Sequence, residues 1–170
     1  MTPSPLADLP EFLLPLWARV PDGFDAAFLA SLYASTRTDL HSMTADPAFV
    51  ASLIAMQQRF QAAGYRNDFP GASHLLLERD GAACGRIVVD AGPQAVRLVD
   101  IALLPEVRGQ GLGSHILRAL QACAARHSVP LTLSVHHSNP RARRFYLAHG
   151  FHAHATNAMS EQMMWNNPLP

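Results

Sequence analysis

Lysine is missing altogether from this 170-residue chain, and all 13 basic residues are arginine. That absence excludes mechanisms built on a lysine Schiff base or on the lysine of a Walker-type phosphate loop, and it leaves no lysine side chain for self-acetylation. Cysteine is scarce. Cys84 and Cys123 stand alone, neither in a Cys-x-x-Cys pair nor near a histidine at ligand spacing, and both read as small buried apolar residues. Charged residues make up only 15 % and the formal net charge is zero, so no overall field draws the chain to nucleic acid or to an anionic membrane. No stretch approaches the roughly 20 apolar residues of a membrane span. Met1 to Pro10 carries no basic region followed by an apolar run. The expectation is a cytoplasmic protein with neither nucleic acid nor membrane as a partner.

What is present is a large apolar complement, 49 % of the residues. A chain of this length buries about 70 % of the surface it would expose unfolded and needs no disulfide or metal staple. Phe12 to Val20 reads as a first strand, ended by Pro21-Asp22-Gly23. Asp25 to Thr36 and Pro47 to Ala63 carry apolar residues at helical spacing, and Gly64 is expected to stop the second helix. Three strand-like runs follow, His74 to Arg79, Ala83 to Asp90 and Ala95 to Leu104, with Asp80-Gly81 a strong hairpin signal. Gly109 to His127 reads as an amphipathic helix and Pro130 to Val135 as a short strand. Asn139-Pro140 opens a helix that Gly150 closes, and Phe151 to Thr156 and Glu161 to Trp165 can pair as a last hairpin. The order implies a mixed α/β sheet. No repeat or linker divides it, so residues 1–170 are assigned to a single domain.

The segment richest in chemistry is Ile101-Ala-Leu-Leu-Pro-Glu-Val-Arg-Gly-Gln-Gly-Leu-Gly113, a strand, a turn and a glycine-rich helix start in succession. Glycines at 109, 111 and 113 let the backbone turn tightly and bring successive N–H groups against an anion, where the helix dipole adds attraction. Ser114 contributes a hydroxyl in the first turn and Arg108 a fixed positive charge. A P-loop is excluded because it needs lysine. A dinucleotide fingerprint is disfavoured because its glycines are spaced in the reverse order. The same glycines would also serve a tight turn that holds no ligand.

Here the chain resembles the GNAT superfamily of N-acetyltransferases, whose cofactor motif Arg/Gln-x-x-Gly-x-Gly/Ala stands as Arg108-Gly109-Gln110-Gly111-Leu112-Gly113. A second stretch, Asn139-Pro-Arg-Ala142-Arg-Arg-Phe-Tyr146 ending in Gly150-Phe151, is similar to the family's Asn-x-x-Ala-x-x-x-Tyr motif. The element order agrees over nearly the whole chain, the first seventy residues in outline only. The resemblance implies a mostly antiparallel sheet of six to seven strands flanked by about four helices, with a V-shaped splay between the fourth and fifth strands. It implies acetyl-CoA as co-substrate and no metal. Pantetheine would lie in the splay against the backbone of Ile101, Ala102 and Leu103. Amides of Gly109, Gln110, Gly111, Leu112, Gly113 and Ser114 would hold the pyrophosphate. Asn139 would face the pantetheine arm, and Ala142 would be small to let the cofactor pass.

The implied reaction is direct transfer of acetyl to a primary amine of a small molecule or peptide inside a ternary complex. Such a transfer needs a proton acceptor for the amine, donors for the developing oxyanion and an acid for the leaving thiolate. Tyr146 matches the family's acid. Asp100 lies in the otherwise apolar Leu98-Val-Asp-Ile-Ala-Leu103, where a carboxylate is costly unless it faces the cleft, and it is a candidate to bind or deprotonate the amine. The base is left open among Asp100, His136, His137 and water. His152 and His154 alternate on a strand and so share a face, yet no third metal ligand accompanies them at a defined spacing. Arg141, Arg143 and Arg144 read as a solvated face that can reach a 3′-phosphate. Tyr33, Arg37, Gln57, Tyr65 and Arg66 are acceptor-side candidates. A homodimer is compatible with these features. The rival class is a catalytically weak GNAT-fold module that binds CoA as a sensor or interaction domain.

Overall fold

The computed structural model describes residues 4–43 and 46–167. In chain order its elements are α1 (Leu9–Leu13), β1 (Trp17–Arg19), α2 (Ala26–Ser35), α3 (Thr38–His41), α4 (Pro47–Asp68), β2 (Ser73–Arg79), β3 (Ala82–Ala91) and β4 (Val96–Leu103). There follow α5 (Leu112–Arg126), β5 (Leu131–His136), α6 (Pro140–Ala148), β6 (His152–Thr156) and β7 (Ser160–Trp165). The strands form one seven-stranded sheet in the order β1-β2-β3-β4-β5-β7-β6. Every neighbouring pair is antiparallel except β4 and β5, which run parallel. Four helices are long, α2, α4, α5 and α6, and two are single turns. This is the mixed sheet expected from the sequence.

The β2–β3 hairpin closes at Asp80-Gly81, both with positive φ (54° and 79°), the backbone that a two-residue type I′ turn requires. On one face of the sheet α5 buries Ile116, Leu117, Leu120, Cys123 and Ala124 against Leu77, Ile87, Val96, Leu98, Leu131 and Leu133. Both cysteines are buried, and loss of water pushes their thiols up, Cys123 to about 11. A smaller apolar cluster, Tyr33, Leu40, Val50 and Ile54, ties α2, α3 and α4 together.

The helix read from Gly109 starts only at Leu112, because Gly109 and Gly111 lie in the left-handed region, and two other boundaries differ from the sequence reading. Phe12 to Val20 is not one strand: α1 runs to Leu13, and only Trp17–Arg19 pairs with β2. The reason is the spacing of Leu9, Leu13 and Leu16, all essentially buried and placed at helical intervals against α5. The His115 ring Nε2–H fastens the end of that turn to the Leu13 carbonyl at 2.8 Å. Nor does Gly64 end α4, which continues to Asp68. A glycine inside a helix costs only about 1 kcal/mol, and the partly buried Tyr65 beyond it packs against His74.

The feature that positions the site is the short reach of the parallel pairing. β4 and β5 pair only from Val96↔Leu131 to Leu98↔Leu133, while β4 stays paired to β3 up to Leu103 and β5 to β7 up to His136. Beyond Leu98 the two strands therefore part, each held by its outer neighbour. A bulge at the point of parting leaves Val99 without a partner in β3, the kind of irregularity that bends a strand.

Candidate functional site

The loop from β4 into α5 is a short 3-10 turn, Pro105–Val107, followed by Gly109 and Gly111 with φ of 72° and 80°. Gly111 is the N-cap of α5 in the left-handed region and offers no side-chain cap. The first main-chain bond of the helix runs from the His115 N–H to the Gly111 carbonyl at 3.0 Å. Among the described residues, no protein acceptor takes the amides of residues 109–114. Six successive N–H groups are thus open at the positive end of a 15-residue helix. Gln110 braces the loop from outside, its Nε2 donating to the Glu106 carbonyl at 2.8 Å and its Oε1 accepting from Arg79 at 2.9 Å.

Behind the loop lies the splay. Leu104 N–H donates to the Cys84 carbonyl, which makes Gly85↔Leu103 a pair without hydrogen bonds and Arg86↔Ala102 a bonded one. By that alternation the main chain of Ala102 faces β3, whereas the main chains of Ile101 and Leu103 face the gap. The Leu103 carbonyl is taken by the Arg108 Nε–H at 2.8 Å, which leaves the Leu103 N–H on the gap side. Arg108 also donates to the Ser35 hydroxyl at the end of α2, at 3.4 Å, so its guanidinium ties the loop to that helix.

The gap itself is a cleft of about 170 Å³ between β4 and β5, floored by α6. It brings together Asp100, Ile101, His136, Asn139, Ala142 and Tyr146. Asn139 caps α6, its Oδ1 accepting from the Ala142 N–H at 3.1 Å, as an Asn ahead of Pro140 should. Tyr146 is 9 % exposed, held edge-on by Phe145 and flanked by Phe151. Burial first, and then the Asp100 carboxylate, push its hydroxyl up to about 12. The phenol therefore keeps its proton at neutral pH.

A second cleft, of about 140 Å³, opens on the other side of Asp100, beneath α2 and α4. Leu29, Leu32 and Tyr33 of α2, its C-cap Thr36, Gln61 of α4 and Arg86 of β3 line it, together with Asp100, Ile101 and Ala102. Asp100, Ile101 and their strand thus form a wall shared by both clefts. The Asp100 carboxylate is ion-paired with the Arg86 guanidinium. Nearby, burial and the same carboxylate push the Tyr65 hydroxyl above the usual tyrosine range. Burial and Arg86 hold His74 below the usual histidine range.

The sequence missed Arg86, Gln61 and Thr36. Arg86 left a signal, a lone arginine inside the apolar run Cys84-Gly-Arg-Ile-Val-Val89, which demands a partner as Asp100 does. Of the acceptor-side candidates, Tyr33 lines the second cleft, whereas Arg37 bonds Asp39 and Tyr33 at its margin. His136 lies in the first cleft, with its Nδ1 against the Ser138 hydroxyl at 2.6 Å. His137 is turned away, its Nε2–H donating to the Asn157 carbonyl at 2.9 Å. Arg143 is bonded to Glu161. His154 occupies a bulge between Ala153 and Ala155, which breaks the alternation that would have put it on one face with His152. Among the described residues no cluster of three or more His, Cys, Asp or Glu is arranged to hold a metal ion, and no helix is long and apolar enough to cross a membrane.

Comparison with known proteins agrees with this geometry. The model of the Acetyltransferase (GNAT) family matches residues 37–151. A protein of Bacillus subtilis (strain 168), named as a putative ribosomal protein bS18-alanine N-acetyltransferase, is 33 % identical over 82 residues. The match takes in 48 % of this chain and 54 % of that protein, so the chain spans about half the length of this relative. Among solved structures, the PaiA N-acetyltransferase of Thermoplasma acidophilum in complex with coenzyme A superposes with a TM-score of 0.64 at 16 % identity, over 89 % of this chain and 99 % of that one. Ard1 of Thermoplasma volcanium does so with a TM-score of 0.57 at 20 % identity, over 89 % and 97 %. At such identities the structural likeness establishes the fold.

Proposed function

Because the chain belongs to the GNAT acetyltransferase family, we propose that it transfers acetyl from acetyl-CoA to a primary amine by direct attack in a ternary complex. The observation that carries this reading is the row of open amides at 109–114 beside a splayed strand pair. Those two features fit the two ends of one co-substrate. The diphosphate needs main-chain donors at a helix start, and the pantetheine arm needs a strand edge with unused backbone groups. Ile101 and Leu103 present that edge, while Ala142, small and at the cleft floor, leaves room for the arm. Ala102, with its main chain turned to β3, contributes to the wall rather than to the pairing.

The chemistry then divides among the residues around Asp100. The amine nitrogen bonds to the thioester carbon, the C–S bond breaks, and the amine proton leaves to a base. The Leu103 N–H is the donor placed to meet charge on the carbonyl oxygen. Tyr146, protonated at neutral pH, supplies a proton to the departing thiolate. Asp100 orients the incoming ammonium group from the wall between the clefts. Water or His136 takes the proton, since His137 is engaged at the β6–β7 turn. The likeness to a bS18-alanine N-acetyltransferase supports a peptide amino terminus as the acceptor class.

The test is thiol release from acetyl-CoA with a panel of alanine-initiated peptides and small primary amines, with the acetylated product identified by mass spectrometry. Release dependent on an amine is expected. Binding of acetyl-CoA without acetylation of any amine would replace the enzyme reading with that of a CoA-binding module.

A further inference from the structure

We propose that Arg86 is a positioning residue of the acceptor site, holding Asp100 in the wall between the two clefts and confining the acceptor to a compact head bearing a primary amine. This rests on the acetyl-transfer reading above. Arg86 reaches across from β3 and spans two elements at once: its Nη2 donates to the Asp100 Oδ2 and to Oε1 of Gln61, on α4, at 3.3 Å. Both side chains of the ion pair are largely removed from water, Arg86 14 % and Asp100 21 % exposed. Such a pair gives little net stability, because desolvation offsets the attraction. Its placement has a clear chemical use. Oδ2 is engaged by Arg86, and the Tyr65 hydroxyl bonds the same carboxylate, so Asp100 is held from two sides with its charge towards an incoming ammonium group. The Arg86 Nε is buried without a partner among the described residues, so the hydrogen bonds of this guanidinium run through Nη2 to Asp100 and Gln61.

Size sets the second half of the proposal. The cleft holds about 140 Å³, under half of the roughly 300 Å³ at which pockets for drug-sized ligands begin. Leu29 and Leu32 close it on the α2 side. A small first residue fits there with the rest of the chain outside, whereas a bulky aromatic head does not.

The probes are an alanine-initiated hexapeptide, the same peptide beginning with tryptophan, and alaninamide. Wild type should use the alanine compounds, and the tryptophan peptide should be at least about tenfold poorer in kcat/KM. Arg86→Met should raise the KM for the alanine peptide at least about tenfold while leaving the thermal shift caused by acetyl-CoA unchanged, and Arg86→Lys should recover part of the loss. Leu29→Trp fills the cleft without replacing either member of the ion pair and should raise the same KM; it carries the test if Arg86→Met does not fold. An unchanged KM in Arg86→Met or Leu29→Trp, no recovery in Arg86→Lys, or equal use of the two peptides would overturn the proposal. So would inertness of both alanine compounds in an enzyme whose melting temperature still rises with acetyl-CoA. Absence of that rise would instead refute the acetyl-transfer reading itself.

Discussion

Replacing Gly111 by Glu tests the phosphate cradle most directly. Gly111 caps α5 with φ of 80°, and a Cβ built on it meets no atom within 4 Å. The cost in the free protein is thus conformational, about 1–2 kcal/mol for an L-residue held in the left-handed region, which lowers the melting temperature of a chain this size by about 2–8 °C. Gly111→Ala shares that cost and serves as the control. The effect on the co-substrate is electrostatic and separate. A carboxylate about 5 Å from one diphosphate charge at an effective dielectric near 20 repels it by about 3 kcal/mol, which weakens binding about two-hundredfold. At a concentration 100 times its dissociation constant, acetyl-CoA stabilises wild type by about 2.7 kcal/mol, a rise of about 5–10 °C. In Gly111→Glu the same concentration falls below the new dissociation constant, and the rise shrinks to about 1 °C or less. Thermal denaturation with and without acetyl-CoA, each variant against its own free form, separates the two effects. A full rise in Gly111→Glu would mean that the diphosphate sits elsewhere, and the assignment of this loop would be wrong.

Tyr146→Phe should cut kcat by about 10²-fold or more and leave the acetyl-CoA thermal shift in place, because its hydroxyl bonds no described residue; unchanged turnover would remove it as the acid. The Arg19–Asp25 pair makes a prediction about acid. Asp25 accepts two bonds from Arg19, at 2.7 and 2.8 Å, and one from the Asp22 N–H, which hold its carboxyl down to about 2. A depressed carboxylate stabilises the fold above its unfolded value, and that contribution fades as pH drops through the folded one. Asp25→Asn should therefore melt lower than wild type at all pH values above about 4, with the gap closing as pH falls towards 2. A gap independent of pH over that window would show that the ion pair is not its source.

How much was legible beforehand depended on how local the signal was. Asp80-Gly81, Asn139-Pro140 and the glycines at 109 and 111 each dictate backbone geometry within a few residues, and each stands where the sequence placed it, whereas Gly113 lies inside α5. Apolar spacing likewise located six of the seven strands within a residue or two, and α5 to within three at its start. It failed at Phe12 to Val20, where Leu9, Leu13 and Leu16 follow a helical interval that only the face of α5 makes visible. At Gly64 a local stop signal lost to packing further along the helix.

The sequence by itself therefore determined the order of the strands and long helices, the glycine turn ahead of α5 and the family, because these follow from torsional preferences and patterns written over a few neighbours. Only the tertiary structure decided that Arg86 and Asp100 meet, that Ala102 faces β3 while Ile101 and Leu103 face the gap, and that Asp100 borders two clefts at once. Those facts depend on strand register and on a single bulge at Val99. In a sheet a shift of one residue reverses every side chain and every main-chain donor beyond it, and no short stretch of sequence encodes where that shift falls.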